Sequence, residues 1–315
     1  MATSSLSLDP KHLDAFAATL QTGSLAAAAQ QLHLTLAAVS LRIKALEAQL
    51  GQRLLIRSKT AQATRAGQAL LAHITRTRLL EADLAERLSI GHSQGSEPQN
   101  WQALSVAVNA DSLASWFLQG VRSDVLKHRL LLHSIVDDQE HTLAWLQNGQ
   151  VQGCVTQLAK PLRGCTAMAL GTMRYRCVGA PSIAKQLRSL KRTTNAPALL
   201  QIPALCFNNK DQLQDRFLRE AFGLVDVNYP RHHLPAGDAY HLALLQGLGW
   251  GVQSDVQTQY QWPDEMQSGK LLDLFPGQHV DIALYWHHWS QESAHATRLT
   301  QAVIKAAHQV LIQTA

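Results

Sequence analysis

Between Asp9 and Gly51 the chain writes three helical segments with almost nothing between them, and that compression constrains the fold more than any other feature. Asp9-Pro10 is a helix start: an aspartate caps free N–H groups, and proline is tolerated in the first turn. Leu13, Phe16 and Leu20 recur at helical spacing, and Thr22-Gly23-Ser24 breaks the run with a glycine for the exit and a serine for the next cap. A short alanine-rich segment, Leu25 to Leu32, follows. A tight His33-Leu34 turn leads to Thr35, which caps a third segment with an apolar stripe at Val39, Ile43, Leu46 and Leu50; Gly51 ends it. Two short helices about a tight turn, the second amphipathic and basic, form the helix-turn-helix pattern.

The stripe must pack inward. Ser40, Arg42 and Lys44 lie off it and are candidates to face DNA. Arg53-Leu54-Leu55-Ile56-Arg57 reads as a short strand that, with the turn through Lys59 and Thr60, makes a wing against phosphates. Thr64 caps a long helix from Arg65 to Ser89, with an apolar side of Leu70, Leu71, Ile74, Leu80, Leu84 and Leu88. A lone helix with such a side is expected to pair with a second copy of itself. Gly91 to Pro98 reads as a linker.

After Trp101 the pattern changes to alternating strands and helices. Strands are expected at Leu104–Val108, Leu130–Val136, around Val178, at Leu205–Phe207 and at Val280–Trp286. Helices are expected around Leu113–Gly120, His141–Leu146, Gln212–Phe222 and Tyr240–Gln246. This alternation predicts α/β units with largely parallel sheets. Trp116 and Trp286 read as core. Gly247-Leu248-Gly249-Trp250-Gly251 follows a helix rather than opening one, so it reads as a helix stop into a strand and not as a dinucleotide loop.

Composition narrows the function. The 315 residues are 46% hydrophobic and 16% charged, a globular balance with room for more than one domain. Residues 1–90 hold 10 Lys/Arg against 6 Asp/Glu, whereas the remainder holds 18 against 17, so the first third is the part suited to a polyanion. No apolar run approaches the ~18 residues that span a bilayer, and Met1–Asp9 lacks a secretory pattern, so a cytoplasmic protein without membrane contact is expected. Cys154, Cys165, Cys177 and Cys206 lack CxxC spacing, and the adjacent pairs His232-His233 and His287-His288 would point to opposite strand faces; neither a metal site nor a disulfide framework is suggested. No cofactor is expected, and no catalytic motif is present, so an enzyme is not expected.

The run Ser24 to Ala29, then Leu32, Thr35 to Glu47, Leu50-Gly51, Leu54-Leu55, Arg57 and Thr64 to Gly67 resembles the N-terminal signature of LysR-type transcription regulators. Ser105 to Trp116, Gln246-Gly247 and Leu284 to His287 resemble one branch of that family, the ArgP/LysG regulators. The resemblance runs from about Leu8 to Leu311. It implies a winged helix-turn-helix with a long linker helix, then a two-lobed α/β effector domain like that of periplasmic binding proteins. It also implies response to a basic amino acid, lysine or arginine, and control of genes for amino acid export or metabolism. Implied partners are double-stranded DNA, a homodimer extending to a homotetramer, and RNA polymerase as a further candidate. The corresponding division is 1–65 for DNA binding, 66–90 for the dimerising helix, 91–100 for the linker and 101–315 for the effector domain, with one lobe at 101–177 and 277–315 and the other at 178–276.

On this resemblance the DNA-facing candidates are Ser24, Thr35, Leu36, Ala37, Ser40, Leu41, Arg42, Lys44, Arg53 and Arg57. Family members often carry Gln-Ser where this chain has Leu36-Ala37, and Gln where it has Leu41. Apolar side chains touch a thymine methyl but make no bidentate hydrogen bond to a base. The effector candidates follow from chemistry. Asn109 to Ser112 sits between a strand and a helix, where free N–H groups and the helix dipole suit a carboxylate. Asp111 either serves a ligand ammonium or caps the helix. Asp137, after the second strand, and Asp238, in an equivalent turn of the other lobe, either read a cationic side chain or favour a helix N-terminus. Two other readings stay open: a chromosomal DNA binder with little sequence preference, and a solute-binding α/β protein.

Overall fold

The computed structural model describes residues 7–56, 60–88, 101–136, 139–190 and 195–313. Helix α1 (Pro10–Thr22) is capped by the Asp9 carboxylate, which accepts the Lys11 N–H at 2.8 Å, and it ends at Gly23 in the left-handed region. Helix α2 (Leu25–Gln31) is capped by Ser24 and α3 (Leu36–Leu50) by Thr35, each hydroxyl accepting an N–H from three residues on. Ala15, Phe16, Ala28, Ala29, Val39, Ile43 and Leu46 close into one buried cluster; the alanines of α2 let the helices approach closely. Strands β1 (Leu55–Ile56) and β2 (Gln62–Ala63) pair antiparallel as the wing.

Helix α4 (Arg65–Arg87) opens on Thr64, whose hydroxyl accepts the Gly67 N–H at 3.1 Å. Its apolar residues do not act as one side. Leu70 and Ile74 are buried in the helix-turn-helix core, whereas Leu80, Leu84 and Leu88 are exposed. The helix therefore splits along its length: its first half completes the small domain and its second half projects a leucine row.

The remaining chain forms β3 (Gln102–Ala107), α5 (Ala110–Ser112), a π-helical turn (Leu113–Phe117), α6 (Leu118–Lys127), β4 (Leu130–Ile135), α7 (Gln139–Gln147), β5 (Gly153–Thr156) and β6 (Cys165–Gly179). Next come α8 (Pro181–Leu190), α9 (Asn195–Leu199), β7 (Ala204–Cys206), α10 (Leu213–Phe222), β8 (Arg231–His233) and α11 (Gly237–Leu245). The chain closes with β9 (Gly251–Ser254), α12 (Asp255–Tyr260), α13 (Pro263–Gln267), β10 (Leu272–Asp273), β11 (Val280–Trp289) and α14 (Ala294–Val310). As the glycine run predicts, α11 stops and β9 begins across 247–251. Trp116 and Trp286 are core residues, at 2% and 1% exposure.

The main sheet has the order β10-β6-β11-β5-β3-β4, with β9 also on β6. The expectation of largely parallel pairing holds only in part. β3 is parallel to β4 and β5, and β7 to β8, but β6 runs antiparallel to β9, β10 and β11. The reason is visible in β6. Met173, Tyr175 and Cys177 point into the core, while Arg174 reaches Asp281 and Arg176 reaches Asp255 and Asp273. Such in–out alternation belongs to an antiparallel sheet with one polar face. Paired from Cys165↔Trp289 to Tyr175↔Val280, β6 and β11 cross from the β3–β5 half to the β9–β10 half. Gly153 is required at this crossing, because a Cβ there would lie 2.1 Å from the Trp286 ring.

Candidate functional site

Helix α3 presents two rows at the same spacing. Val39, Ile43 and Leu46 are buried; Ala37, Leu41, Lys44 and Ala48 are exposed. Leu36 and Leu41 are 52% and 68% exposed, so the outward face is largely apolar. Ser40 and Arg42 are half-buried on its flanks, and Arg53 is exposed just before β1. The hydroxyls of Ser24 and Thr35 are engaged as caps, which places each at a helix N-terminus suited to a phosphate. Arg57 lies outside the described residues. Sequence reasoning missed Glu47. Its carboxylate accepts the N–H groups of Leu54 at 2.7 Å and Leu55 at 3.3 Å, tying the wing strand to α3. Its signal was a lone acid on the basic helix.

A second constellation lies where the two halves of the α/β part meet. Asn109 ends the segment after β3 and opens the helix in extended backbone, yet its side chain makes no cap bond. Asn109 Oδ1, Ser112 Oγ and Trp116 Nε1 are all buried without a protein partner. Asp111 does not cap the helix either: it accepts the Tyr175 hydroxyl at 2.9 Å, so the crossing strand β6 reaches the turn directly. Burial pushes the Asp111 carboxyl above its ordinary value; the Tyr175 bond opposes this and the charge of Asp211 adds to it. Burial and the neighbouring Asp111 push the Tyr175 phenol well up.

Asp211 is the acid that sequence reasoning missed in this group. It lies between β7 and α10, where its carboxylate accepts the Phe207 and Leu213 N–H groups at 2.8 and 3.0 Å. The strand-to-helix rule that selected Asp111 would have found it. Asp211, rather than Asp238, is the second-half carboxylate whose field reaches Asp111. Asp238 is exposed in the first turn of α11, and its charge is felt by His241. Asp137 lies outside the described residues.

The helix after this turn departs from α geometry for one π-helical turn, a distortion frequent at functional sites. Ser115 Oγ donates to the Asp111 carbonyl at 2.5 Å, and the Ala114 carbonyl accepts the side-chain amide of Gln261, beyond α12. The group thus combines the Asp111 carboxylate with buried polar atoms of Asn109, Ser112 and Trp116 that have no protein partner. Such a mixture of donors and acceptors suits a ligand that carries both a carboxylate and cationic groups. A shallow hollow at the α4 seam, lined by Arg76, Leu80, Trp289 and Glu292, contains no such orphaned atoms. Among the described residues no group of three His, Cys, Asp or Glu is arranged to hold a metal, and no helix is long and apolar enough to cross a membrane.

Comparison with known proteins agrees with this layout. Residues 10–68 match the family of bacterial regulatory helix-turn-helix proteins, lysR family. The HTH-type transcriptional regulator ArgP of Pseudomonas aeruginosa is 37% identical over 305 residues, covering 97% of this chain and 98% of that protein. The crystal structure of ArgP from Mycobacterium tuberculosis superposes with a TM-score of 0.85 at 33% identity, covering 98% of this chain and all of that one. Full-length LysG from Corynebacterium glutamicum with bound effector Arg gives 0.76 at 31% identity, covering 97% and 100%. The chain belongs to the LysR family of helix-turn-helix transcription regulators, in its ArgP/LysG branch.

Proposed function

We propose that the protein is a sequence-specific regulator of genes for amino acid export or metabolism, acting in the cytoplasm, whose DNA binding is modulated by arginine or lysine held beside Asp111. The observation that carries this reading is the coincidence of orphaned buried polar atoms, a helix start and the buried Asp111 carboxylate at one junction. The relative with bound Arg supports the choice of ligand. The effector carboxylate meets the helix start at Ser112, and its cationic groups meet Asp111 and the field of Asp211. Asp137 and Asp238 remain candidates for the outer end of the ligand. Residues 1–65 bind DNA, 66–90 dimerise, 91–100 link, and 101–315 sense, with lobes at 101–177 plus 277–315 and at 178–276.

The exposed row of Leu80, Leu84 and Leu88 supports pairing of α4 with a second copy, which sets two α3 helices on successive major grooves. Contacts between sensor domains extend the dimer to a tetramer, and RNA polymerase is the partner at the promoter. Leu84→Asp is expected to reduce the assembly seen by sedimentation; an unchanged mass removes this part. For the function itself, calorimetry should find one site per subunit for arginine or lysine and none for glutamate. Gel shifts with DNA upstream of its own gene should change with the same ligands. If neither basic amino acid binds, with or without DNA, the effector reading fails.

A further inference from the structure

Resting on the DNA-binding reading, we infer that Leu36 and Leu41 determine sequence preference by seating against thymine C5-methyl groups in the major groove. Single exposed leucines are ordinary on protein surfaces. These two are not scattered. Leu36 is the first residue of α3, in line with the buried stripe but left open at the helix end, and Leu41 is at the centre of the outward row that Ala37 begins; the first turns of a recognition helix are the part that reaches base edges. Lys44 continues the row, Arg42 flanks it and Arg53 stands at the adjoining wing.

Charge decides what covers this face. A second copy of the same surface would set Arg42, Lys44 and Arg53 against their own counterparts, whereas a polyanion is complementary to them. Within DNA, base edges offer hydrogen-bonding groups almost everywhere, and the thymine methyl is the apolar group of the major groove. A leucine facing a cytosine amino group or a guanine carbonyl would strip water from it and return no bond. The preference therefore comes from methyl contact together with the cost of covering other bases, while the cations set position and overall affinity.

Uracil differs from thymine only by that methyl. Full-length protein would first be used to enrich sites from a random duplex library. The enriched duplex would then be compared, at one salt concentration, with copies in which each thymidine in turn is replaced by deoxyuridine. At one or two positions per half-site the replacement should weaken binding about fourfold per lost methyl contact. Leu36→Gln and Leu41→Gln should each abolish the discrimination at one of those positions. Lys44→Gln should weaken binding to both duplexes equally and keep the discrimination. Equal affinity of the wild-type protein for thymine and uracil duplexes at every position overturns the inference while leaving DNA binding intact, as does full discrimination by both leucine variants. Failure to enrich any site overturns the reading of sequence-specific DNA binding and the inference together.

Discussion

The outer face of α3 and the junction around Asp111 are built on opposite terms. On α3 the candidate contacts are exposed or half-buried, the caps are made, and among the described residues no buried side-chain polar atom of the helix lacks a partner. At the junction a carboxyl is held away from water, and three buried polar atoms have no partner. Each such atom costs about 1–3 kcal/mol unless something satisfies it. The first surface is open to a ligand drawn in by long-range charge. The second carries a standing cost that a ligand can remove, and differential affinity of that kind is what shifts a conformational equilibrium. Sensing and reading are separated because one benefits from stored cost and the other from a finished surface.

The largest effect should come from breaking the finished surface. Glu47→Ala leaves the Leu54 and Leu55 N–H groups without their acceptor. Charged hydrogen bonds are worth about 1.5–3 kcal/mol each. The wing should detach from α3, lowering the denaturation midpoint of the N-terminal domain and abolishing tight DNA binding. Arginine affinity measured by calorimetry should not change. A parallel loss of arginine binding in the absence of DNA would mean that the junction depends on the wing for its own folding.

Next in size is Asp111→Ala. Loss of a charged contact to the ligand should weaken arginine binding by about 1.5–3 kcal/mol, or roughly ten- to 150-fold. Binding to DNA without effector should persist. Because the Asp111 carboxyl titrates above its ordinary value, arginine affinity of the wild-type protein should fall as pH drops towards the ordinary carboxylate range. A variant that binds arginine normally would place the cation elsewhere, with Asp238 the next acid to replace.

These two regions were also unequally legible. Helical periodicity, caps and glycine stops are local, so the three N-terminal helices can be read from Asp9 to Gly51 without knowing the rest of the fold. The split of α4 could not, because Leu70 and Leu84 look alike until the domain packed against the first is known. Asp111 was legible as a strand-to-helix acid, but its partner was not. Tyr175 lies 64 residues away on a strand whose length and direction depend on β11. Asp211 obeyed the same local rule as Asp111, and Asp238 did too; only the fold separates the acid that reaches the junction from the acid that faces solvent.

The smallest predicted effect tests the stored cost itself, with no ligand present. Asp111→Asn keeps an acceptor for the Tyr175 hydroxyl and removes the charge that burial and Asp211 disfavour. The folded protein holds the Asp111 proton more tightly than the unfolded chain does. At a pH below the ordinary carboxylate value both states are protonated and the group adds no penalty. As pH rises above that value, the unfolded chain ionises first, so stability falls until the folded group has also ionised. The asparagine variant escapes this loss, so its melting temperature should match wild type in acid and exceed it at neutral pH. The excess should be a few degrees, since about 1 kcal/mol moves Tm by ~2–4 °C in domains of 150–250 residues. Saturating arginine should reverse the order, because bound ligand stabilises only the protein that holds it well. A variant that melts lower than wild type at neutral pH without ligand would show that Asp111 is already compensated within the fold, and the contrast with α3 would then collapse.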